Sequence, residues 1–445
     1  MSKTRALSKS NRGGHILWVG WGDVTRKGAI AIKSMLDAGY KVHGIDLTDD
    51  PSGIKVVDPS RLYIRDNKRH HNDILKIGMK DGFEAMYVAN PGDHHLSSAL
   101  EFQHFAKHII ISKPLDTHIS FLSTIFGSRV STRRNYAHFL PKVWVHDHYL
   151  NKPAIDFLIT LMGTLHAQHD FVDSIKCFLV EKATIEESEK HRIQGLECGM
   201  LFDLAVHMIS ILELLIPEGL RWQDGTGLYE RIRRDFRVSA CTTAKYAGSI
   251  LGKSMVMHDR EAETFGVIEI TITEEILHHG VGRKVDKEIP VLIVVGKGVP
   301  SEQGATRDLK SIVINFRDGA EIALDLDTSQ FRGIDDSTLQ AASYDNLDIA
   351  QRGINRPLMA LTRKEFRLSP GTSPFQPWSA AFRSVNLLFS ALCKAPIKPI
   401  GYGTKVSCRE LTSMLLQKNR DFSHWLLPDN FTNYLIGTKP KDAIP

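Results

Sequence analysis

The stretch His15–Asp46, HILWVGWGDVTRKGAIAIKSMLDAGYKVHGID, decides the fold that we predict for this chain. HILWVGWG is a short apolar run ending in glycines, which predicts a buried strand and a tight turn. The residues from Val24 to Ala38 then predict a helix, and KVHGI predicts a second strand that ends at Asp46. Strand, helix and strand in this order form a βαβ unit, so we expect an α/β fold with a doubly wound parallel sheet.

The turn after the first strand has the start of a dinucleotide-binding fingerprint. Gly20 and Gly22 give Gly-x-Gly, where the backbone must turn sharply and let a pyrophosphate approach a helix N-terminus. Thr25 stands where the third glycine is usual. Our candidate cofactor-binding residues in this turn are Gly20, Gly22, Asp23 and Thr25.

Asp46, at the end of the second predicted strand, bears on the choice of cofactor. Its carboxylate can accept hydrogen bonds from both ribose hydroxyls and would repel a 2′-phosphate, so NAD is favoured over NADP. Two alternatives stay open: Asp46 merely starts the acidic loop LTDDPSG, or Lys55 or Arg61 reaches the 2′-phosphate of NADP.

Further strands and helices alternate along the N-terminal part of the chain. AMYVAN (residues 85–90) predicts a strand, Pro91-Gly92-Asp93 opens a helix that runs to about Ala106, and HIIIS (residues 108–112) predicts a strand before Lys113-Pro114. Ligands of such sheets bind at the carboxyl ends of the strands. We therefore expect one crevice lined at four strand ends, by Gly20, Asp46, Asn90 and Lys113, with Pro91 and His94 beside it.

The length of 445 residues predicts more than one domain. We expect a flexible leader (1–14), a dinucleotide-binding Rossmann domain (15–145), an α+β domain for substrate binding and dimerisation (146–430) and a tail (431–445). The second domain is predicted to have a largely antiparallel sheet, because runs such as VIEITIT (residues 267–273) and VLIVVG (residues 291–296) are joined by short turns.

The composition excludes several classes of protein. Hydrophobic residues make up 42% of the sequence, charged residues make up 24%, and the net charge is +5. Nucleic-acid binding is not predicted, because the sequence has no basic stripe interleaved with aromatic residues. No apolar run predicts a membrane span or a signal peptide. The five cysteines are scattered, which indicates reduced thiols and a cytoplasmic protein. We expect no metal site, because the histidine pairs have no further ligands at suitable spacing.

The stretch GMLFDLAVHMISILELL, Gly199 to Leu215, predicts an apolar helix with two polar residues on one flank. Asp203 and His207 are four residues apart, so a carboxylate can orient an imidazole that transfers a proton near neutral pH. The alternative is a purely structural contact.

PGDHHLSSALEFQHFAKHIIISKPL resembles the segment of the Gfo/Idh/MocA oxidoreductases in which a later strand ends in Glu-Lys-Pro, although Ser112 replaces that Glu. The helix with Asp203 and His207 is similar to the Asp-x-x-x-His motif of the same family. The resemblance implies that Lys113, Asp203 and His207 lie around the substrate carbinol beside a nicotinamide, and are catalytic.

WVHDHYLNKPAI, Trp144 to Ile155, resembles the Asp-His-Tyr-Leu-Gly-Lys segment of the glucose-6-phosphate dehydrogenases. That resemblance implies that His148, Tyr149 and Lys152 hold a substrate phosphate and that Asp147 orients the catalytic histidine. A cation, a phenol and an imidazole together can bind a phosphate. The alternative is that one face of this strand is simply buried.

These residues together predict an NAD(P)-dependent dehydrogenase that acts on a secondary alcohol of a sugar, sugar phosphate or cyclitol, as a homodimer or homotetramer. Two other functions remain open: a binding scaffold that has lost catalysis, and elimination or glycoside cleavage assisted by a tightly held NAD.

Overall fold

A computed structural model gives the fold of the chain. The residues that it describes are 13–22, 25, 28–47, 54–117, 122, 138–168, 172–181, 199–216, 219–223, 228–246, 264–277, 283–298, 308–334, 357–359, 361, 374–394, 397–400 and 412.

The chain forms two compact units, and neither of them is one continuous stretch. The first unit contains Met1–Asp116, Ser120–Asn151 and Ala350–Trp378, and the second contains Thr117–Ile119, Lys152–Ile349 and Ser379–Pro445. The predicted boundary after residue 145 does not account for the return of Ala350–Trp378 to the first unit.

A seven-stranded sheet forms the centre of the first unit. Its strands are β1 (His15–Val19), β2 (Lys41–Asp46), β3 (Leu62–Ile64), β4 (Phe83–Val88), β5 (Ala106–Ser112), β6 (Val143–His146) and β15 (Gln376–Pro377). They lie in the order β15-β6-β5-β4-β1-β2-β3, and all pairs are parallel except β15 with β6. The predicted doubly wound α/β fold is confirmed, and the order of strands reverses between β1 and β4, which is where such sheets bind ligands.

The helices of this unit are α1 (Ala29–Asp37), α2 (Lys68–Asp81) and α3 (His95–Phe102). The central strands β1, β4 and β5 are apolar and largely buried because helices cover a parallel sheet on its faces. The helix that we predict to run to about Ala106 ends at Phe102 instead. The prediction is wrong there because Ala106 already pairs with Phe83 as the first residue of β5.

Residues far along the chain complete the core of the first unit. Leu358, Leu361 and Phe375 are buried in the same apolar cluster as Trp18 of β1. Gln376 pairs with Val145, so β15 covers the edge of β6. We call this part of the chain, Ala350–Trp378, the return segment.

The second unit is built on a nine-stranded sheet. Its strands are β7 (Val172–Glu181), β8 (Gly219–Gln223), β9 (Leu228–Tyr246), β10 (Phe265–Leu277), β11 (Arg283–Lys297), β12 (Leu309–Phe316), β13 (Glu321–Asp325), β14 (Phe331–Arg332) and β16 (Ile397–Ile400). The order is β14-β13-β12-β7-β11-β10-β9-β16, with β8 on β9. The predicted antiparallel character is confirmed, although β11 with β7 and β16 with β9 are parallel.

An ion pair is buried between two long strands of this sheet. Arg234 on β9 and Glu274 on β10 are opposite each other, and Nε of Arg234 donates to Oε1 of Glu274 over 2.8 Å. Their side chains are 1% and 2% exposed. A buried charge needs such a partner, because removing it from water is costly.

The described helices of the second unit are α4 (Pro153–Gln168), α5 (Val206–Leu215) and α6 (Trp378–Lys394), of which the first residue, Trp378, belongs to the first unit. A π-helical turn, Leu201–Ala205, precedes α5, so the predicted helix Gly199–Leu215 has two parts. Within the described part of the chain, we find no helix with the length and apolar character that crossing a membrane requires.

Candidate functional site

The turn after β1 contains a glycine that the backbone itself requires. Gly20 has φ +87°, a conformation that L side chains rarely adopt. A Cβ atom on Gly20 would lie 2.6 Å from the backbone nitrogen of Asn90, and the Gly20 nitrogen donates to the Ile45 oxygen over 2.8 Å. The turn after β1 therefore lies directly against the ends of β2 and β4.

Gly22 lies in the same turn but in open space. A Cβ atom on Gly22 would meet no heavy atom of the described residues within 4 Å, apart from its chain neighbours. The packing of the described residues does not require a glycine here, whereas the approach of a ligand to the backbone would. Asp23, the next candidate, lies outside the described residues.

Thr25, at the position of the third glycine, closes the turn with its hydroxyl group. It is fully buried, its Oγ1 donates to the Gly20 oxygen over 2.7 Å, and it accepts from Nε1 of Trp18 over 2.7 Å. Trp18 on β1 thus orients the Thr25 hydroxyl, and this hydroxyl fixes the backbone carbonyl of Gly20 in the turn. A contact of Thr25 with cofactor stays a prediction.

Asp46 has a carboxylate that two backbone N–H groups hold in place. Oδ2 accepts from the Trp21 nitrogen over 2.6 Å, and Oδ1 accepts from the Leu47 nitrogen over 2.6 Å. Each carboxylate oxygen can accept a further hydrogen bond. The group is therefore oriented and able to accept hydroxyl donors.

Asn90 follows β4 and lies between α3 and the glycine turn. Its Nδ2 donates to Ser98 Oγ over 2.8 Å and lies 3.3 Å from the His94 oxygen. Its Oδ1 is buried and has no hydrogen-bond partner among the described residues. Pro91 and His94, the neighbouring candidates, are exposed at the start of α3.

His95 links the ends of β4 and β5. Its Nδ1 lies 2.6 Å from the Pro114 oxygen and its Nε2 lies 2.7 Å from the Asn90 oxygen. Burial lowers the pKa of His95 to about 4, so the ring is neutral near pH 7 and donates to one of the two carbonyls at a time. The loops after β4 and β5 are thereby held together.

Lys113 follows β5 and is half-buried. Its backbone nitrogen donates to the His146 oxygen over 3.1 Å, and the Lys113-Pro114 peptide bond is cis. Ser112, which stands where the family resemblance implies a glutamate, is buried beside it.

A polar cluster that the sequence did not reveal lies under this strand end. Tyr87 Oη lies 3.0 Å from Nδ1 of His146 and forms a hydrogen bond with the Ser112 side chain. Burial raises the pKa of Tyr87, so its hydroxyl stays protonated at neutral pH. Phe375 packs edge-on against His146, with 5.5 Å between the ring centroids.

The segment after β6 folds back on itself. Oδ1 of Asp147 accepts from the Tyr149 nitrogen over 2.9 Å, and the rings of His148 and Tyr149 lie 4.7 Å apart. Nδ2 of Asn151 donates to the Asp147 oxygen over 3.1 Å and to the Pro374 oxygen over 3.0 Å. Three of the four predicted substrate-binding residues, Asp147, His148 and Tyr149, therefore share one ordered turn.

Lys152 belongs to the second unit and is 5% exposed. Its Nζ donates to the Leu326 oxygen over 2.9 Å. Desolvating an ammonium group is costly, so this carbonyl is part of what allows its burial.

Asp203 and His207 lie at the junction of the π-helical turn and α5. Asp203 is within the π turn and half-buried, and His207 is 1% exposed in the first turn of α5. Helix α6 supports this junction: Phe389 packs on Phe202 with ring centroids 4.7 Å apart, and Arg383 Nε lies 3.3 Å from Glu213 Oε1. π turns inside α-helices are frequent at functional sites.

The residues at the carboxyl ends of β1, β2 and β4 fit a nicotinamide dinucleotide. The glycine turn offers close approach to its backbone, Asp46 offers an oriented carboxylate, and Asn90 offers a buried acceptor without a partner among the described residues.

Comparison with known proteins gives structural neighbours but no sequence relatives. No family model matches the chain, and no curated protein matches it significantly. The WlbA dehydrogenase from Bordetella pertussis, solved with NADH and UDP-GlcNAcA, is 13% identical, with a TM-score of 0.57 over 86% of this chain and 95% of that one. An inositol dehydrogenase homolog from Azotobacter vinelandii, solved with NADH and myo-inositol, is 16% identical, with a TM-score of 0.53 over 86% and 95%.

A glucose-6-phosphate dehydrogenase in complex with glucose-6-phosphate is 14% identical, with a TM-score of 0.54 over 91% of this chain and 97% of that one. At these identities the likeness shows the fold. The chain therefore shares its architecture with these three solved dehydrogenases.

Proposed function

We propose that the chain is an NAD-dependent oxidoreductase that transfers a hydride between the nicotinamide and a secondary alcohol. The observation that carries the proposal is the convergence of the Gly20 turn, the Asp46 carboxylate and the Asn90 amide at the strand ends where the sheet order reverses. The three structural neighbours, two of which were solved with NADH, support it.

Gly20, Gly22, Asp46 and Asn90 would hold the dinucleotide, which supplies the hydride acceptor when it is bound. The Asp46 carboxylate would accept hydrogen bonds from ribose hydroxyls, and its charge disfavours a 2′-phosphate. This preference for NAD over NADP is part of the proposal.

The proton steps are assigned to residues of this chain. His207, oriented by Asp203, would accept the hydroxyl proton of the alcohol, and the Lys113 ammonium would stabilise the negative charge that develops on its oxygen. The position of His207, buried in the first turn of α5 and four residues after Asp203, supports this role, because residues four apart lie on the same flank of a helix.

We propose a sugar, sugar phosphate or cyclitol as the substrate. The turn of Asp147, His148 and Tyr149, followed by Lys152, offers polar groups of the kind that bind sugars and phosphates. We also propose a cytoplasmic homodimer or homotetramer, in keeping with the free thiols of Cys177 and Cys241 and the large sheet of the second unit.

Thermal denaturation with NAD, NADH, NADP and NADPH tests the cofactor. A ligand that binds only the folded protein at a hundred times its Kd stabilises it by about 2.7 kcal/mol. We expect NAD and NADH to raise the Tm and the phosphorylated pair not to do so. A Tm that none of the four changes, in protein shown to carry no co-purified nucleotide, would refute the proposal.

The catalytic assignment is tested in turnover assays on sugars, cyclitols and their phosphates at 340 nm. For His207→Asn we expect kcat to fall by about 10²–10⁴, with unchanged NADH affinity, because one proton-transfer group is lost. Near wild-type turnover of this variant would remove His207 from the mechanism.

A binding scaffold without catalysis is the second candidate. Ser112 favours it, because this buried, neutral residue stands where the family resemblance implies a glutamate. The scaffold would bind NADH and a sugar without turnover, which the same assays distinguish.

A further inference from the structure

We propose that Ser98 and Arg65 are positioning residues, which lock the Asn90 amide so that its carbonyl oxygen accepts a hydrogen bond from a neutral donor group of the bound nucleotide. The inference rests on the proposed function, in which Asn90 lines the cofactor crevice. Neither Ser98 nor Arg65 is expected to touch the nucleotide.

The orientation of the Asn90 amide follows from its two neighbours. The amide nitrogen lies 2.8 Å from Ser98 Oγ and 3.3 Å from the His94 oxygen. A backbone carbonyl can only accept, so the NH₂ group must face it and the amide cannot be reversed. Oδ1 is then turned away from α3, buried and without a partner among the described residues.

The chemistry of Oδ1 defines what it can bind. An amide oxygen only accepts hydrogen bonds, and an ionised phosphate has no hydrogen to donate and would be repelled. A ribose hydroxyl or a carboxamide N–H satisfies it. Because an unsatisfied buried acceptor is costly, the crevice selects such a donor at the end of β4.

Ser98 is the residue that fixes the orientation of the Asn90 amide. It is fully buried on α3, and its Oγ receives two donors, Asn90 Nδ2 over 2.8 Å and Nη1 of Arg65 over 3.0 Å. These two bonds use both lone pairs of the hydroxyl oxygen. Without this hydroxyl, the Asn90 amide keeps only its longer contact with the His94 oxygen.

Arg65 fixes Ser98 and connects two strand ends. Its second guanidinium nitrogen is paired with Glu101, whose other carboxylate oxygen lies 3.4 Å from Nδ1 of His71. The backbone nitrogen of Arg65 donates to the backbone carbonyl oxygen of Asp46 over 2.6 Å. Arg65 therefore ties the end of β2, where we place the adenine-side ribose, to the side chain at the end of β4.

A double-mutant cycle tests the lock in the full chain. We expect Ser98→Ala and Asn90→Ala each to raise the Kd for NADH by about tenfold, the value of one hydrogen bond. Because Ser98 acts only through Asn90, the double variant should bind no more weakly than Asn90→Ala. Arg65→Lys, which lacks the fork of the guanidinium, should weaken NADH binding in the same direction.

Two further ligands, AMP and ADP-ribose, and one control variant show which group of the nucleotide the Asn90 amide binds. AMP reports on the Asp46 end, so its Kd should stay within about twofold in Ser98→Ala. Loss of ADP-ribose affinity in Ser98→Ala would identify a ribose hydroxyl as the donor, and a loss confined to NADH would identify the carboxamide. Ser97→Ala is the matched control, because Ser97 Oγ donates to the same His94 oxygen over 3.0 Å but makes no hydrogen bond with Asn90 in the described part of the chain.

Three outcomes would overturn the inference. Additive losses in the double variant, or an equal loss in Ser97→Ala, would refute it while leaving the proposed function in place. A wild-type chain that binds none of the dinucleotides would refute both.

Discussion

Gly20 and Gly22 lie two residues apart, yet only Gly20 is required by the fold itself. Gly20 has a left-handed backbone, which costs an L residue about 1–2 kcal/mol, and a Cβ there would overlap the chain at Asn90. We expect Gly20→Ala to lower the free energy of unfolding by more than about 2 kcal/mol in urea titrations. Gly22→Ala should keep the stability and weaken NADH binding. Equal losses of stability would contradict this distinction.

His43 should make the stability of the first unit depend on pH. It is 4% exposed on β2, with its Nε2 2.9 Å from Nδ1 of His15, and burial, the His15 ring, Arg61 and Lys41 lower its pKa to about 4. The unfolded chain, with a histidine pKa near 6.5, therefore binds more protons between pH 6.5 and 4.

Stability should accordingly fall as the pH falls through that window, by about 1.4 kcal/mol per pH unit for this one group. Urea titrations at pH 7, 6 and 5 measure the slope, and His43→Gln should reduce it. An identical slope in the variant would exclude His43 as its source.

The residues of the site could be predicted only where the sequence order carries the information. Gly20, Asp46, Asn90 and Lys113 follow predicted strands, so their common edge could be inferred. Ser98, Arg65, Tyr87 and His146 could not, since their partners lie on other elements and no local spacing marks them.

At the scale of elements, the long strands β9 and β10 depend on a buried ion pair. Glu274→Gln would leave the Arg234 charge buried without its carboxylate, so we expect the variant to lose about 3–5 kcal/mol of unfolding free energy. Glu84→Gln is the matched control, because the Lys107–Glu84 pair joins side chains that are 66% and 47% exposed. We expect that control to change by less than about 1 kcal/mol.

Replacing both partners, as in Arg234→Met with Glu274→Leu, removes this ion pair. Since the buried Lys287 also lies opposite Glu274 on β11, we expect only part of the lost stability to return. If the double variant has as low a free energy of unfolding as Glu274→Gln, the loss of stability comes from side-chain packing at this position and not from the buried charge.

The elements differ in how far their sequences predict them. The long apolar strands, such as β1, β4, β5, β10 and β11, could be predicted because apolar runs and turn residues mark them, whereas no such run marks β3, β8 or β14. The π turn at Asp203 could not, since the apolar spacing of residues 199–215 is that of an ordinary helix. Nor could β15, whose two residues pair with a strand more than 200 positions earlier.

At the scale of the whole molecule, the return segment makes the first unit depend on residues near the end of the sequence. Phe375 is 3% exposed in the apolar cluster around Trp18, so Phe375→Ala should cost about 3–5 kcal/mol. Met359→Ala, in the same segment but 39% exposed, should cost less than about 0.5 kcal/mol. Chemical denaturation of both variants, followed by the fluorescence of the buried tryptophans, gives the comparison, and equal losses would contradict it.

The first unit consists of separate stretches of sequence, so it cannot finish folding until the return segment has been synthesised. Between Asn151 and Ala350 the ribosome must add 350 − 151 = 199 residues, which takes about 10–40 s at about 5–20 residues per second. Throughout that time the nascent chain presents β6 with an unpaired edge and an apolar cluster without Phe375, and such an edge is a template for pairing with other chains. We therefore expect this protein to need a chaperone that binds its N-terminal third until the ribosome has synthesised the return segment.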